Sequence, residues 1–320
     1  MSILFQHAIT DHEIQALREE FPQYRLCFDT PETPLPHEQW RSVEIIYSQT
    51  LSTNDIKKAS KLHWIHSPSP FLDELYLKDI TEGGNILVTE TRGGVYQIGE
   101  FITASVLAFA KNLFHWYSKD REPLEQGEHA IQESMWTLPQ RTFLQIGLGV
   151  VGTEITRRAQ QLGCKVWGVS ANRSIHPYCH KSFAIKDLHS LLDTADIVSL
   201  CIPRNKEYEH FFQKTELQLM KDDSLLIILG AQNFVDAESI CSVAKTGKFR
   251  GIIIDTFQSD PIQKDSPLWT LPNILLTTET TKFPHSDEHL SFRTFRYNLR
   301  QFVQSKFENM RNKIETRASL

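Results

Sequence analysis

The chain has 320 residues, more than one hydrophobic core usually spans, so two domains are expected. Its 40% hydrophobic and 23% charged residues are those of a soluble globular protein, and a formal net charge of -5 argues against nucleic acid or an anionic membrane as the main partner, leaving a small molecule. Five cysteines, Cys27, Cys164, Cys179, Cys201 and Cys241, with no C-x-x-C pair, speak against a disulfide frame or a zinc site; with no basic-then-apolar leader in MSILFQHAITDHEIQ and no bilayer-length apolar run, a cytoplasmic protein without a metal is expected.

In chain order, DHEIQALREEF reads as a helix, VEIIYS (43–48) as a strand, STNDIKKAS as a helix, and LHWIHS (62–67) and NILVTE (85–90) as strands, which is α/β order. QIGEFITASVLAFAKNLFHWYSK (97–119) has apolar residues at helical spacing and reads as one long connecting helix. From Thr142 onward TFLQIG, KVWGVS, DIVSLCI, SLLIILG, GIIIDTF and NILLTT are rich in branched aliphatics. Strands apolar on both faces predict a parallel sheet covered on both sides by helices. SDEHLSFRTFRYNLRQFVQSKFEN (286–309) has helical periodicity with no strand after it, and 311–320 reads as a frayed tail. The fold class expected is α/β with two Rossmann-like domains. One covers 1–96, flavodoxin-like and completed by a helix in 285–320; the other covers 97–284, a doubly wound parallel sheet.

The most specific local motif is I-G-L-G-V-V-G, 146–152, which follows the strand TFLQ and opens the helix GTEITRRAQQLG. In that setting Gly147 permits a tight turn, Gly149 lets the backbone approach a pyrophosphate and Gly152 lets the helix pack close to the sheet. Val150 and Val151 lie between, where the helix N-terminus meets the phosphates. The alternative is a glycine-rich turn without a ligand. The next strand, KVWGVS, ends in Ser170, Ala171, Asn172, Arg173 and Ser174, without the carboxylate that binds the 2′-hydroxyl of NAD. A serine and an arginine suit a 2′-phosphate, so NADP is favoured over NAD, the alternative being that Arg173 is a solvated loop charge.

With LHWIHSPSPFLDEL, TRGGVYQIGEF, IGLGVVGTEITRRAQQLG, TADIVSLCIP, SLLIILGAQNFVDAESI and RGIIIDTFQSDPIQKDSPLWTLPNILLTT, the chain resembles the NAD(P)-dependent D-2-hydroxyacid dehydrogenases over nearly its whole length. The resemblance implies a substrate domain in 1–96 and a dinucleotide domain in 97–284. It also implies an arginine that holds the substrate carboxylate, a histidine that exchanges the hydroxyl proton and a glutamate that keeps the histidine protonated. Aligned on Val235 and Asp236, the arginine position is Ala231; the glutamate of D-V-F-x-x-E-P is Asp260; the histidine of L-T-P-H is Glu279. Where the family has a loop of the type S-x-G-x-G-V-D for the substrate carboxylate, this chain has Ser67, Pro68, Ser69, Pro70, Phe71, Leu72 and Asp73, and Pro70 supplies no donor. The dinucleotide side is kept. Gly147, Gly149 and Gly152 stand, Pro203 lies in the loop that in the family covers the cofactor, Gly230 ends a strand, and Asp255 matches the aspartate that in the family bonds the nicotinamide amide.

Two readings follow. In the first, the protein binds dinucleotide or a partner with standard 2-keto acid chemistry weak or lost. In the second, it is an active NADP-dependent oxidoreductase on another substrate, using Glu279, Asp260 or Lys282. For Lys282 a solvated lysine, and for Arg92 a structural ion pair, are the favoured alternatives. Of His63, His66, His285 and His289, His66 is the most plausible participant, against the commoner structural role. Phe101, Leu107, Phe109, Leu113, Phe114 and Trp116 in 97–119 suggest a homodimer, the alternative being a helix buried within one chain.

Overall fold

The structure, a computed structural model, describes residues 1–48, 51–68, 86–117, 132–171, 175–202, 208–230, 235–256, 262–278 and 287–314. The chain divides into two compact units, Met1–Gly94 with Lys282–Leu320, and Val95–Thr281.

The first unit holds a wholly parallel sheet of β1 (Ser2–Phe5), β2 (Arg25–Phe28), β3 (Val43–Tyr47), β4 (Trp64–Ser67) and β5 (Leu87–Glu90). Its order, β2-β1-β3-β4-β5, is that of flavodoxin-like sheets. Side chains alternate between faces. Ile3, Phe5, Ile45, Tyr47 and Trp64 pack with Phe292, Phe295 and Leu299, whereas Leu4, Val43, Ile46, Ile65 and Val88 pack with Trp40, Leu51 and Leu62. The helix that supplies Phe292 to Leu299 is Asp287–Val303, so the far end of the chain completes this unit. Helix Asp11–Glu20 starts at Thr10, whose hydroxyl accepts from Glu13 N–H while the Glu13 carboxylate accepts from Thr10 N–H. The segment expected to be frayed is ordered as far as 314. Buried Asn298 accepts from Arg311 N–H at 2.7 Å and donates to its carbonyl at 3.0 Å, Ile314 N–H bonds Val88 O, and Lys313 pairs antiparallel with Thr89. A side chain from the helix thus satisfies backbone groups that would otherwise need solvent. Residues 315–320 lie outside the described residues.

The second unit holds seven parallel strands, β6 (Thr142–Ile146), β7 (Lys165–Ser170), β8 (Lys181–Ala184), β9 (Ile197–Leu200), β10 (Ser224–Leu229), β11 (Phe249–Thr256) and β12 (Ile274–Thr278). The order is β12-β11-β10-β9-β6-β7-β8. The chain reverses direction across the sheet between β6 and β9, which makes the end of β6 the topological switch point. One face carries Leu144, Ile146, Val198, Leu226 and Ile252 of a single large core. The stretch expected as one helix over 97–119 is two pieces, Gly93–Ala110 and Leu113–Tyr117, with 118–119 outside the described residues. Asn112 takes a left-handed φ of 52°, and the returning chain caps the break: Trp136 N–H bonds Ala110 O, and Asn112 Nδ2 donates to Ser134 Oγ. Val95, Ile98, Ile102, Val106 and Phe109 form the buried stripe of the longer piece. Phe109 lies against Gly251 of β11, where an added Cβ would fall 2.3 Å from its ring, so this side chain is consumed within its own unit. Leu113 and Phe114 are exposed.

Candidate functional site

The C-terminal ends of the second unit's strands carry the kept motif. β6 ends at Ile146, and the turn Gly147–Gly149 leads into helix Val150–Gln161, with Gly149 as its N-cap. Gly147 has φ +89°, and a Cβ there would fall 2.1 Å from Cys201 O at the end of β9. At Gly152 a Cβ would fall 2.1 Å from Gly147 O, so the helix lies hard against the turn. Both positions need glycine for separate reasons, conformation at the first and contact at the second. Among the described residues an added Cβ at Gly149 meets nothing within 4 Å, and no side chain caps the helix. The Gly152 N–H is turned to the Cys201 thiol, and a helix start without a capping side chain is the donor arrangement an anionic pyrophosphate needs. Val151 is packed into the core, so its side chain is not available to a ligand; Val150 is half-buried. Within the same helix burial pushes the Glu154 carboxyl up, but Arg157 and Arg158 outweigh it and hold it below the usual range, so this buried acid is paired within its own helix.

Gly230 ends β10 with φ +99°, its N–H donating to Asp255 O at 3.0 Å. Asp255, near the end of β11, is nearly buried, and its Oδ1 accepts from Thr277 Oγ1 of β12 at 2.8 Å. The structure thus brings Gly147, Gly149, Val150, Val151, Gly152, Gly230 and Asp255 to one edge of one sheet. Ser170 is the last residue of β7. Pro203, Ala231, Asp260 and Glu279 follow β9, β10, β11 and β12 in the sequence and, with Arg173, Pro70, Phe71, Lys282 and His285, lie outside the described residues.

Other candidates take structural roles. His66 in β4 is fully buried, its Nδ1 2.7 Å from Thr89 Oγ1 and its Nε2 3.1 Å from Thr91 Oγ1. Thr91 gives its proton to Ser291 Oγ, so the ring donates through Nε2 and accepts through Nδ1, while Trp64 Nε1 donates to Thr89. Tyr47, Trp64 and Phe295 surround the ring, and burial pushes its pKa down to about 3. His66 is a neutral core histidine with both nitrogens satisfied, which corrects its candidacy for proton exchange. His63 is exposed ahead of β4, and His289 lies on helix Asp287–Val303. Arg92 bonds the buried Glu90 carboxylate at 2.8 Å, the ion pair weighed against a substrate role.

Sequence reasoning missed His176. Its Nε2 lies 2.9 Å from Thr153 Oγ1 in the helix after the glycines; Thr153 donates to Leu148 O, so the imidazole is the donor. Its Nδ1 faces Cys179 Sγ at 3.7 Å, and Cys179 lies over Gly168 of β7. This clamp ties the chain after β7 to the glycine turn, and a lone loop histidine gives no sequence signal of it. Burial pushes the Cys201 thiol up to about 12, so the cysteine beside the turn is a protonated wall and not a nucleophile. Among the described residues all five cysteines are free, no group of three His, Cys, Asp or Glu residues could hold a metal, and no helix is long and apolar enough to cross a membrane.

Residues 103–280 match the sequence model described as D-isomer specific 2-hydroxyacid dehydrogenase, NAD binding domain. Glyoxylate/hydroxypyruvate reductase B of Citrobacter koseri is 24% identical over 96% of this chain and 96% of its own length. D-3-phosphoglycerate dehydrogenase of Methanocaldococcus jannaschii is 27% identical over 73% of this chain, which spans only 44% of that protein. In fold, the chain is similar to a D-isomer specific 2-hydroxyacid dehydrogenase from Xanthobacter autotrophicus Py2 solved with NADPH and MES, at a TM-score of 0.74, 17% identity, and coverage of 100% of this chain and 99% of the other.

Proposed function

The chain belongs to the D-isomer specific 2-hydroxyacid dehydrogenase family, and from that premise we propose that it is a dinucleotide-binding member that prefers NADP(H), with hydride exchange on 2-keto and 2-hydroxy acids weak or lost. The observation that carries the reading is the glycine turn, whose open face at Gly149 and uncapped helix N-terminus fit a pyrophosphate. A nicotinamide dinucleotide supplies hydride transfer when bound. The chain's share is to hold it: the Val150 and Val151 N–H groups take the phosphates, Ser170 and Arg173 take the adenosine end with its 2′-phosphate, and Asp255 orients the carboxamide of the nicotinamide. Thr277 fixes the Asp255 carboxylate for that task.

On the reaction side the family's arginine and histidine positions hold Ala231 and Glu279. An alanine cannot pair with a carboxylate, and a glutamate is ionised at neutral pH unless its surroundings raise its pKa. The substrate side is assigned to 1–96 with 285–320 and the dinucleotide side to 97–284, in a cytoplasmic homodimer. Calorimetric titration with NADPH and NADH tests the binding claim. Tighter binding of NADPH supports it; tighter binding of NADH overturns the preference, and binding of neither overturns the reading.

A further inference from the structure

Gln145 stands alone as a large polar side chain in the strand TFLQI, fully buried and in register with Ser199 of β9 and Gly168 of β7. Its Nε2 donates to Ile146 O at 3.2 Å and to Gly147 O at 3.1 Å, which uses both amide protons. Its Oε1 and the Ser199 hydroxyl have no hydrogen-bond partner among the described residues. A buried carboxamide with an unmet acceptor is less favourable than an aliphatic side chain of the same size, so packing does not account for glutamine at this position.

The Gly147 carbonyl is the group this side chain holds. It is wedged between Gln145 Nε2 and the Cα of Gly152, where a Cβ would come within 2.1 Å of it. The peptide joining Gly147 to Leu148 is trans, so the Leu148 N–H runs antiparallel to that carbonyl and faces away from Gln145 and Gly152, out of the packed interior. Glycine does not by itself select this orientation, because without a side chain it tolerates the flipped peptide as well. A flip would present a carbonyl oxygen, and not a donor, to an anion. We propose that Gln145 is a positioning residue for dinucleotide binding: its carboxamide locks the Gly147–Leu148 peptide so that the turn offers the Leu148 N–H to the phosphates. The proposal rests on the dinucleotide-binding reading above.

Two substitutions test it. Gln145→Met keeps the length and removes the donor, and Gln145→Glu keeps the shape and sets an acceptor against the Gly147 carbonyl. Methionine removes both bonds, and losing the one that holds the Gly147 carbonyl should weaken NADPH binding in Gln145→Met about tenfold by calorimetry, with a larger loss in Gln145→Glu. In protein labelled with 15N-leucine, the Leu148 amide signal, identified by its loss in Leu148→Met, should shift when NADPH is added to the wild type and stay put in Gln145→Glu. Circular dichroism and melting curves establish folding; if Gln145→Glu does not fold, both measurements pass to Gln145→Met. Wild-type affinity in Gln145→Met, or a Leu148 signal that does not move on binding to the wild type, overturns the role of Gln145 and leaves the dinucleotide reading standing. A wild type that binds neither NADPH nor NADH overturns both.

Discussion

Gly149 and Gly152 sit three residues apart on one turn, yet alanine at each should act by a different route. At Gly152 the new methyl would lie 2.1 Å from Gly147 O, well short of the 3.4 Å of ordinary contact, and the opposing atom is backbone. Alanine in place of an interior helix glycine stabilises by roughly 1 kcal/mol, whereas overpacking costs roughly 1–3 kcal/mol. The clash wins, by about 1 kcal/mol, which lowers the melting temperature by about 2–4 °C in a domain of this size. The displaced turn also loses at least one charge-assisted N–H to phosphate bond, worth about 2 kcal/mol or about thirtyfold in affinity. At Gly149, by contrast, the methyl meets none of the described residues within 4 Å and the backbone, φ -65° and ψ -170°, suits alanine. Gly149→Ala should therefore cost less than about 1 kcal/mol as a weaker N-cap, yet weaken NADPH binding by about tenfold or more, because its methyl occupies the ligand's space. Thermal melts and calorimetric titration of both variants give the two axes. Wild-type affinity in Gly149→Ala would refute the reasoning, since the open face at that glycine would then not be where the dinucleotide lies.

His66 has its folded pKa depressed to about 3, so its stabilising contribution is complete above the ordinary histidine pKa and is lost as pH falls towards 3; near pH 5.5 the pH slope of the urea-unfolding free energy should be about 1.2 kcal/mol per pH unit steeper in the wild type than in His66→Gln, and equal slopes would contradict it. Asn298→Ala strands both backbone groups of Arg311, at a cost of about 1–3 kcal/mol, and hydrogen exchange at Ile314 should speed up; unchanged protection would show that the tail is held otherwise. Arg173→Ala should weaken NADPH binding selectively, and equal losses for NADPH and NADH would remove Arg173 from the 2′-phosphate. Light scattering at micromolar concentration should give a dimer mass, with exposed Leu113 and Phe114 in the contact; a monomer would refute the assembly.

Among the described residues apolar runs locate nine of twelve strands: β3, β5, β6, β7, β9, β10, β11 and β12 each contain two or more branched aliphatics, and β4 has Ile65 with Leu62 just ahead of it. β1, β2 and β8 are not located this way and are four residues each. SILF lies at the start of the chain; RLCF and KSFA are edge strands, half-exposed, with no long apolar signal. The break at Asn112 was invisible because helical periodicity continues across it; what ends the helix is a cap from residues 134 and 136. The glycine motif was legible since its spacing is covalent. The clamp between His176 and Thr153 and the support of Gly147 by Gln145 were not, because each depends on a three-dimensional approach that no local pattern records.

The most direct test of the central claim is steady-state oxidation of NADPH and NADH over pyruvate, glyoxylate, hydroxypyruvate and larger 2-keto acids, with the wild type and with the variant carrying Ala231→Arg and Glu279→His. General acid/base catalysis alone typically contributes about 10²–10⁴-fold, and a bidentate arginine orients the carboxylate on which positioning depends. The account predicts little or no turnover by the wild type with either cofactor, and activity that emerges in the double variant; ordinary turnover by the wild type would contradict it.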